Sequence, residues 1–161
     1  MNVSPPSRIV MVCREEKEAA LQRFVQSSLD AACDAQVDIT LLARNLESPV
    51  ARAVAKMMSD AGARIAVRAI VLDTEPSAAV SGVSLGEIEG ASLRVLRDGR
   101  FNAAHEQLVC GPARVWIGDC MRREPVKRDA FELFHDDNLV ATRHAEASFE
   151  RLWAKAKVAK P

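Results

Sequence analysis

The sequence carries no excess charge of either sign and no long hydrophobic run. Its 161 residues include 22 Lys and Arg against 22 Asp and Glu, so the formal net charge at pH 7 is zero. A chain without a global basic charge lacks the usual electrostatic signature of nucleic-acid or membrane binding. No segment approaches the roughly 20 apolar residues of a membrane-spanning helix, and the apolar run 9–12 is too short for a signal peptide. We therefore expect a cytoplasmic location and no membrane partner.

Cysteine is scarce and scattered. The four residues, Cys13, Cys33, Cys110 and Cys120, form no CxxC pair, and this pattern is typical of free thiols in a reducing compartment. Cys110 and Cys120 lie near His105 in the sequence, as the ligands of a zinc site would. Alternation along a strand places His105 and Cys110 on opposite faces, so the sequence predicts no metal site and no cofactor.

Apolar spacing in the first half of the chain alternates between strand-like and helix-like. Strands are predicted at residues 9–13, 37–43 and 64–73, and helices at residues 15–33 and 49–61. Ser48 is expected to cap the second helix ahead of Pro49, and Gly62 to end it in a left-handed conformation. This order of elements is that of a layered α/β domain. The predicted class is therefore α/β, a layered mixed sheet flanked by helices, and residues 1–161 suit one such domain.

The second half of the chain is less regular. Residues 76–92 contain Gly82, Gly86 and Gly90 and show no clean period, which indicates a poor helix and a loop. Further strands are predicted at residues 93–96, 105–110 and 114–118, the last two forming a hairpin around the turn 111–113. A polar loop then leads to Glu132, and residues 147–157 form a closing helix with an apolar face. No strand is predicted between the hairpin and that helix.

The hairpin and the glutamate behind it carry a recognisable signature. His105 begins one apolar run, Gly118 lies at the end of the next, and Glu132 follows after the polar loop. This stretch resembles the signature of the phospholipase D superfamily, which reads H-x-K-x4-D, then G-S-x-N, then a supporting glutamate. The order of strands and helices around it also resembles a phospholipase D unit. The resemblance covers nearly the whole chain and implies a single phospholipase D-like domain, similar in size to the single-motif bacterial endonucleases of the superfamily.

Four positions of the signature are altered. Gln107 stands in place of the lysine, Pro112 of the aspartate, Asp119 of the serine and Met121 of the asparagine. The segment between the two parts of the signature is also one residue shorter than usual. In the family, two facing histidines act as nucleophile and acid, while lysines and asparagines hold the phosphate oxygens. The altered positions are therefore those that contact the substrate anion.

Two of these changes oppose an anionic substrate directly. Gln107 removes a positive charge, and Asp119 adds a negative one. At about 4 Å and an effective dielectric constant near 20, each change costs up to about 4 kcal/mol against a bound phosphodiester. The resemblance therefore implies the fold without ordinary phosphodiesterase activity.

The candidate site residues have a structural interpretation beside the functional one. His105 and Glu132 are candidate catalytic residues, with His105 as nucleophile or base, or they form a structural hydrogen bond at a strand end. The basic residues of the polar loop are candidate anion-binding residues or solvated surface: Arg122, Arg123, Lys127 and Arg128.

Three functions are compatible with this sequence. The first, which we favour, is a catalytically inert domain that binds an unidentified protein partner. The second is a divergent phosphodiesterase or nuclease that uses His105 and Glu132 at a dimer interface, and the third is a nucleic-acid binder that uses the basic loop. Because a phospholipase D site needs two facing units and this chain has one, a homodimer is expected. Its interface would cover Trp116 or Leu108, which a monomer would leave exposed.

Overall fold

The computed structural model describes residues 8–72, 84–98, 104–120 and 129–158. In chain order the strands and α-helices of these residues are β1 (Arg8–Cys13), α1 (Arg14–Ala31), β2 (Val37–Ala43), α2 (Pro49–Ala61), β3 (Ile65–Val71), β4 (Ala91–Val95), β5 (His105–Cys110), β6 (Arg114–Cys120), β7 (Asp129–His135), α3 (Leu139–Lys155) and β8 (Lys157–Val158). Short 3₁₀ turns occupy Gly62–Arg64 and Leu85–Glu87.

The eight described strands form one sheet in the order β1-β7-β6-β5-β2-β3-β4-β8. β2, β3 and β4 run parallel to one another, and the other neighbouring pairs are antiparallel. The mixed sheet predicted from the sequence is therefore confirmed. β2 lies near its centre, with Leu41 opposite Ala69 of β3 on one side and Leu108 of β5 on the other.

Alternation along the central strands sends side chains into two layers. Leu41 of β2 joins the large buried cluster that contains Leu21 of α1 and most of the buried face of α2. Leu42 and Ile70 point the other way and pack with Phe149 of α3. Each such side chain contributes roughly 1.5–3 kcal/mol by leaving water. The sheet is thus covered by α1 and α2 on one face and by α3 on the other, and none of these helices is both long and apolar enough to cross a membrane.

The large apolar residues of the hairpin belong to this core. Trp116 and Leu108 are both 0% exposed within a single chain. The prediction that a partner covers them is therefore wrong, because they already pack in the layer beneath α1 and α2. The large apolar side chains that are exposed in the described residues are Ile9, Leu139, Val140 and Val158.

The ends of α2 differ in detail from the predicted caps. Pro49 is the first helical residue, as expected. Ser48 does not cap the helix, because its hydroxyl is engaged with Asn45 instead, accepting from the Asn45 backbone N–H and donating to the Asn45 side-chain oxygen, each at 3.3 Å. Gly62 has a positive φ of 60°, as predicted, but its ψ of −132° is not that of the left-handed helix. Only glycine adopts this backbone conformation readily.

In the second half of the chain, the structure differs most from the sequence prediction at β7 and α3. β7 occupies the place where the sequence indicates only the end of a polar loop, and it pairs with β1 on one side and β6 on the other. The charged Glu132 in the centre of β7 interrupts the apolar run that would otherwise predict a strand. The closing helix begins at Leu139, well before residue 147, because the Asn138 side chain caps it by accepting from the Ala141 N–H at 2.9 Å. Residues 76–83 of the irregular stretch 76–92 lie outside the described residues, and the rest contains the 3₁₀ turn Leu85–Glu87 and the start of β4 at Ala91.

Candidate functional site

His105 lies at the start of β5 and is oriented by the neighbouring strand. Its Nδ1 is 2.7 Å from the carbonyl oxygen of Gly118 in β6. A carbonyl oxygen only accepts, so Nδ1 carries the hydrogen, and in the neutral ring the lone pair is on Nε2. The side chain is exposed, and the pairing of β5 with β6 is irregular between His105 and Gln107. The arrangement presents an imidazole in a fixed tautomer to solvent.

Glu132 is buried and contacts two other side chains. One carboxylate oxygen accepts from the indole N–H of Trp116 at 3.1 Å, and the other lies 3.0 Å from the Lys17 ammonium of α1. The same ammonium is 5.7 Å from the centroid of the Trp116 ring, within cation–π range. Within the described part of the chain, the His105 ring bonds to Gly118 and not to Glu132. The predicted hydrogen bond between His105 and Glu132 is therefore not formed.

Gly118 provides the space that Trp116 fills. A Cβ atom at Gly118 would lie 2.3 Å from two ring carbons of Trp116, Cη2 and Cζ2. Trp116 and Gly118 are two residues apart in β6, so both face the same side of the sheet. The indole therefore occupies the space that a side chain at Gly118 would need, with its N–H directed at Glu132. Of the three retained signature residues, Gly118 and Glu132 both support the packing of one tryptophan.

The altered signature positions also serve the fold where the structure describes them. The side-chain amide of Gln107 donates to the Ala145 carbonyl oxygen of α3 at 3.1 Å, which fastens the helix to β5. Pro112 is exposed in the hairpin turn, next to Gly111 with its positive φ of 66°. The backbone of Asp119 belongs to β6, but its side chain is outside the described atoms. The other predicted positions lie outside the described residues: Met121, Arg122, Arg123, Lys127 and Arg128.

Two buried charged residues near this site were not predicted from the sequence. Lys17 precedes Leu21 by one helical turn and so lies on the apolar face of α1, and that position is the signal that could have identified it. Glu106 is buried beside His105, and its carboxylate accepts from the Arg44 backbone N–H at 3.0 Å, which holds the end of β2 against β5. Cys110 is not a candidate nucleophile, because burial raises its pKa to about 12 and the thiolate is the reactive form.

The described fold matches known structures over almost its whole length. Nuc from Salmonella typhimurium, a phospholipase D family member, has a TM-score of 0.64 to this chain, with 8% identity, and the match covers 97% of this chain and 100% of that one. The chain has a phospholipase D fold. NucT from Helicobacter pylori matches with a TM-score of 0.58 and 12% identity, over 96% of this chain and 100% of its own.

Part of a larger protein has a similar fold. The polyphosphate kinase from Porphyromonas gingivalis matches all of this chain with a TM-score of 0.62 and 13% identity, but this chain spans only 26% of that protein. No family model matches the sequence, and no curated protein does either. At these identities the similarity establishes the fold of this chain and not its activity.

Proposed function

We propose that this phospholipase D-like domain is catalytically inert and acts as a protein-interaction or regulatory module. The observation that best supports the proposal is the position of Glu132. A glutamate that orients a catalytic histidine has to contact it, whereas this one holds Lys17 and Trp116 in the core. These contacts give the retained signature residue a structural role.

The position of the missing lysine supports the same proposal. Gln107 is neutral, and its amide is directed at α3, so it supplies no charge to hold a phosphate oxygen. The ammonium of Lys17 lies against Glu132 in the core. A buried cation that already faces a carboxylate gives up that interaction if it binds a phosphodiester instead.

A divergent phosphodiesterase is the second candidate, and one observation favours it. His105 is exposed, and its hydrogen bond to Gly118 leaves Nε2 as the free nitrogen. That nitrogen would attack phosphorus if another cation replaced the lost lysine. Arginines of the basic loop are the candidates for this role.

We expect no measurable hydrolysis of DNA, of phospholipid or of bis(p-nitrophenyl) phosphate, and no rescue by Gln107→Lys alone. The new lysine would have to leave the α3 contact, and Asp119 would still oppose the anion. The assay is steady-state release of p-nitrophenol, with a phosphodiesterase active on this substrate as positive control. His144→Ala is the matched control for His105→Ala, because His144 is an exposed histidine on α3. Turnover that survives His144→Ala and disappears in His105→Ala would favour the second candidate.

We also infer that the domain forms a homodimer. The support is that the chain holds one signature and matches the whole of Nuc and of NucT, so it corresponds to a single unit. Light scattering at micromolar concentration should give about twice the chain mass, and dilution should lower the value as the dimer dissociates. A mass of 17.6 kDa at every concentration would contradict the inference. Because Trp116 and Leu108 are buried, the interface has to use other residues.

A further inference from the structure

A cavity of about 630 Å³ opens on the α3 face of the sheet, away from His105. It lies near the start of β2 and of β3, with Asp38 and Thr40 at its floor. Gln107 of β5 pairs with Leu42 near the end of β2. Because β5 runs antiparallel to β2, His105 lies beyond that end, away from the cavity. The volume is within the range of about 300–1,000 Å³ typical of small-molecule sites. The cavity is therefore a separate candidate site with the capacity for a whole ligand.

The floor of the cavity contains a row of polar side chains across three adjacent strands. Thr40, Arg68 and Ser92 are successive partners in the register of β2, β3 and β4, and Val109 of β5 is the apolar partner of Thr40. Strands at the centre of a parallel sheet are normally apolar on both faces, because helices cover them. Farther along β2 and β3 the rule holds, since Leu42 and Ile70 pack under Phe149. On these two strands the polar side chains of this face thus lie where the cavity leaves the sheet open.

Thr40 has a hydrogen-bonding group that the described residues do not satisfy. The residue is 8% exposed, and its hydroxyl oxygen has no hydrogen-bond partner. Leaving a buried hydroxyl unpaired destabilises a fold. A ligand in the cavity would supply the missing partner.

Two carboxylates also line the cavity. Asp38 of β2 and Glu146 of α3 line it, and no described Lys, Arg or His forms an ion pair with either. Arg68 is the one described cation in the lining, but it forms an ion pair with Glu150 at 2.5 Å. That hydrogen bond lowers the pKa of the Glu150 carboxyl, as expected for a carboxylate held by a guanidinium. The lining therefore carries two carboxylates against one guanidinium that Glu150 already holds, and this balance favours a positively charged ligand.

We propose that this cavity binds an organic cation, a ligand with ammonium or guanidinium groups that pair with Asp38 and Glu146. The hydroxyl of Thr40 accepts a hydrogen bond from the same ligand. A metal ion is a poorer occupant, because the described residues contain no group of three His, Cys, Asp or Glu side chains close enough to hold one. The cation is either a free polyamine or a Lys or Arg side chain of a partner protein.

Calorimetric titration separates these two sources. The probes are spermidine, butane-1,4-diamine, its neutral isostere butane-1,4-diol, and a short capped peptide with one central lysine. Saturable binding of the amines without binding of the diol supports a free polyamine. Binding of the lysine peptide without binding of the amines supports a partner side chain, which is still an organic cation. Failure of all four probes to bind at millimolar concentration overturns the proposal.

Variants locate the binding in this cavity. Asp38→Asn and Glu146→Gln should each weaken binding of the preferred cation roughly tenfold. Asp60→Asn is the matched control, because Asp60 is an exposed aspartate on α2, on the other face of the sheet, and it should leave the affinity unchanged. Thr40→Val should weaken binding while raising the melting temperature of the free protein, since it removes the unpaired hydroxyl. Equal losses in Asp38→Asn and Asp60→Asn would mean nonspecific charge attraction and would overturn the proposal.

Discussion

Replacing Trp116 with alanine is expected to lower the free energy of unfolding by about 3–5 kcal/mol. The indole is fully buried in the main core cluster, so its loss leaves a large cavity. It also removes the N–H that binds Glu132. Trp116→Phe should cost less, because it keeps most of the apolar contact and loses mainly that hydrogen bond, which contributes about 1.5–3 kcal/mol when the acceptor is charged. Urea denaturation followed by circular dichroism measures both changes.

Gly118→Ala tests the same packing from the other side. Its Cβ would meet the Trp116 ring at 2.3 Å, and overpacking of this kind costs about 1–3 kcal/mol. Combining it with Trp116→Phe should recover part of that cost, because the two residues share one space. Gly86→Ala is the control, since its Cβ would meet only Leu93 at an ordinary 3.5 Å. Additive effects of Gly118→Ala and Trp116→Phe would show that the indole does not depend on the glycine.

Removing the cation beside Glu132 is expected to have a similarly large effect. Lys17→Met should destabilise the fold by about 3–5 kcal/mol, because it leaves a carboxylate buried without its positive partner. The Glu132 side chain is 0% exposed and that of Lys17 10%, so water cannot replace the ammonium. Thermal and urea unfolding of the purified variant measure the loss.

The double variant Lys17→Met with Glu132→Met distinguishes a structural pair from a catalytic one. Removing both charges together should cost far less than the sum of the single changes, because a buried ion pair contributes little over apolar residues of similar volume. Arg52→Met is the control on the exposed pair between α2 and α1, which is worth about 0–1 kcal/mol. If Lys17→Met changed stability no more than Arg52→Met does, the buried role of Glu132 would be wrong.

Local sequence patterns were sufficient for most of the secondary structure. β2 and β5 have the predicted bounds, and the hairpin turn lies at Gly111 as expected. These predictions succeeded because strand alternation and turn residues act over a few neighbours. β7 was missed for a related reason. Its central Glu132 breaks the apolar pattern, and only the partners across the core show why a charge is tolerated there.

The candidate site was predictable in its residues but not in their contacts. The signature identifies His105, Gly118 and Glu132 from one stretch of chain, and the fold that it implies is confirmed. Whether Glu132 meets His105 depends on which side chains of β6, β7 and α1 reach the same space. Lys17 lies far from Glu132 in the sequence, and no local pattern in either segment predicts their contact.

The sequence by itself determined the order of elements, the α/β class and the phospholipase D resemblance, because apolar period, turn chemistry and motif spacing are properties of neighbouring residues. The tertiary structure alone decided that Glu132 pairs with Lys17 and Trp116, and that Gln107 binds α3. It also decided that Asp38, Thr40 and Glu146 line one cavity. These outcomes depend on long-range packing, in which a buried charge or hydrogen-bonding group is stable only beside a suitable partner. The fold, and not the local sequence, determines which residue becomes that partner.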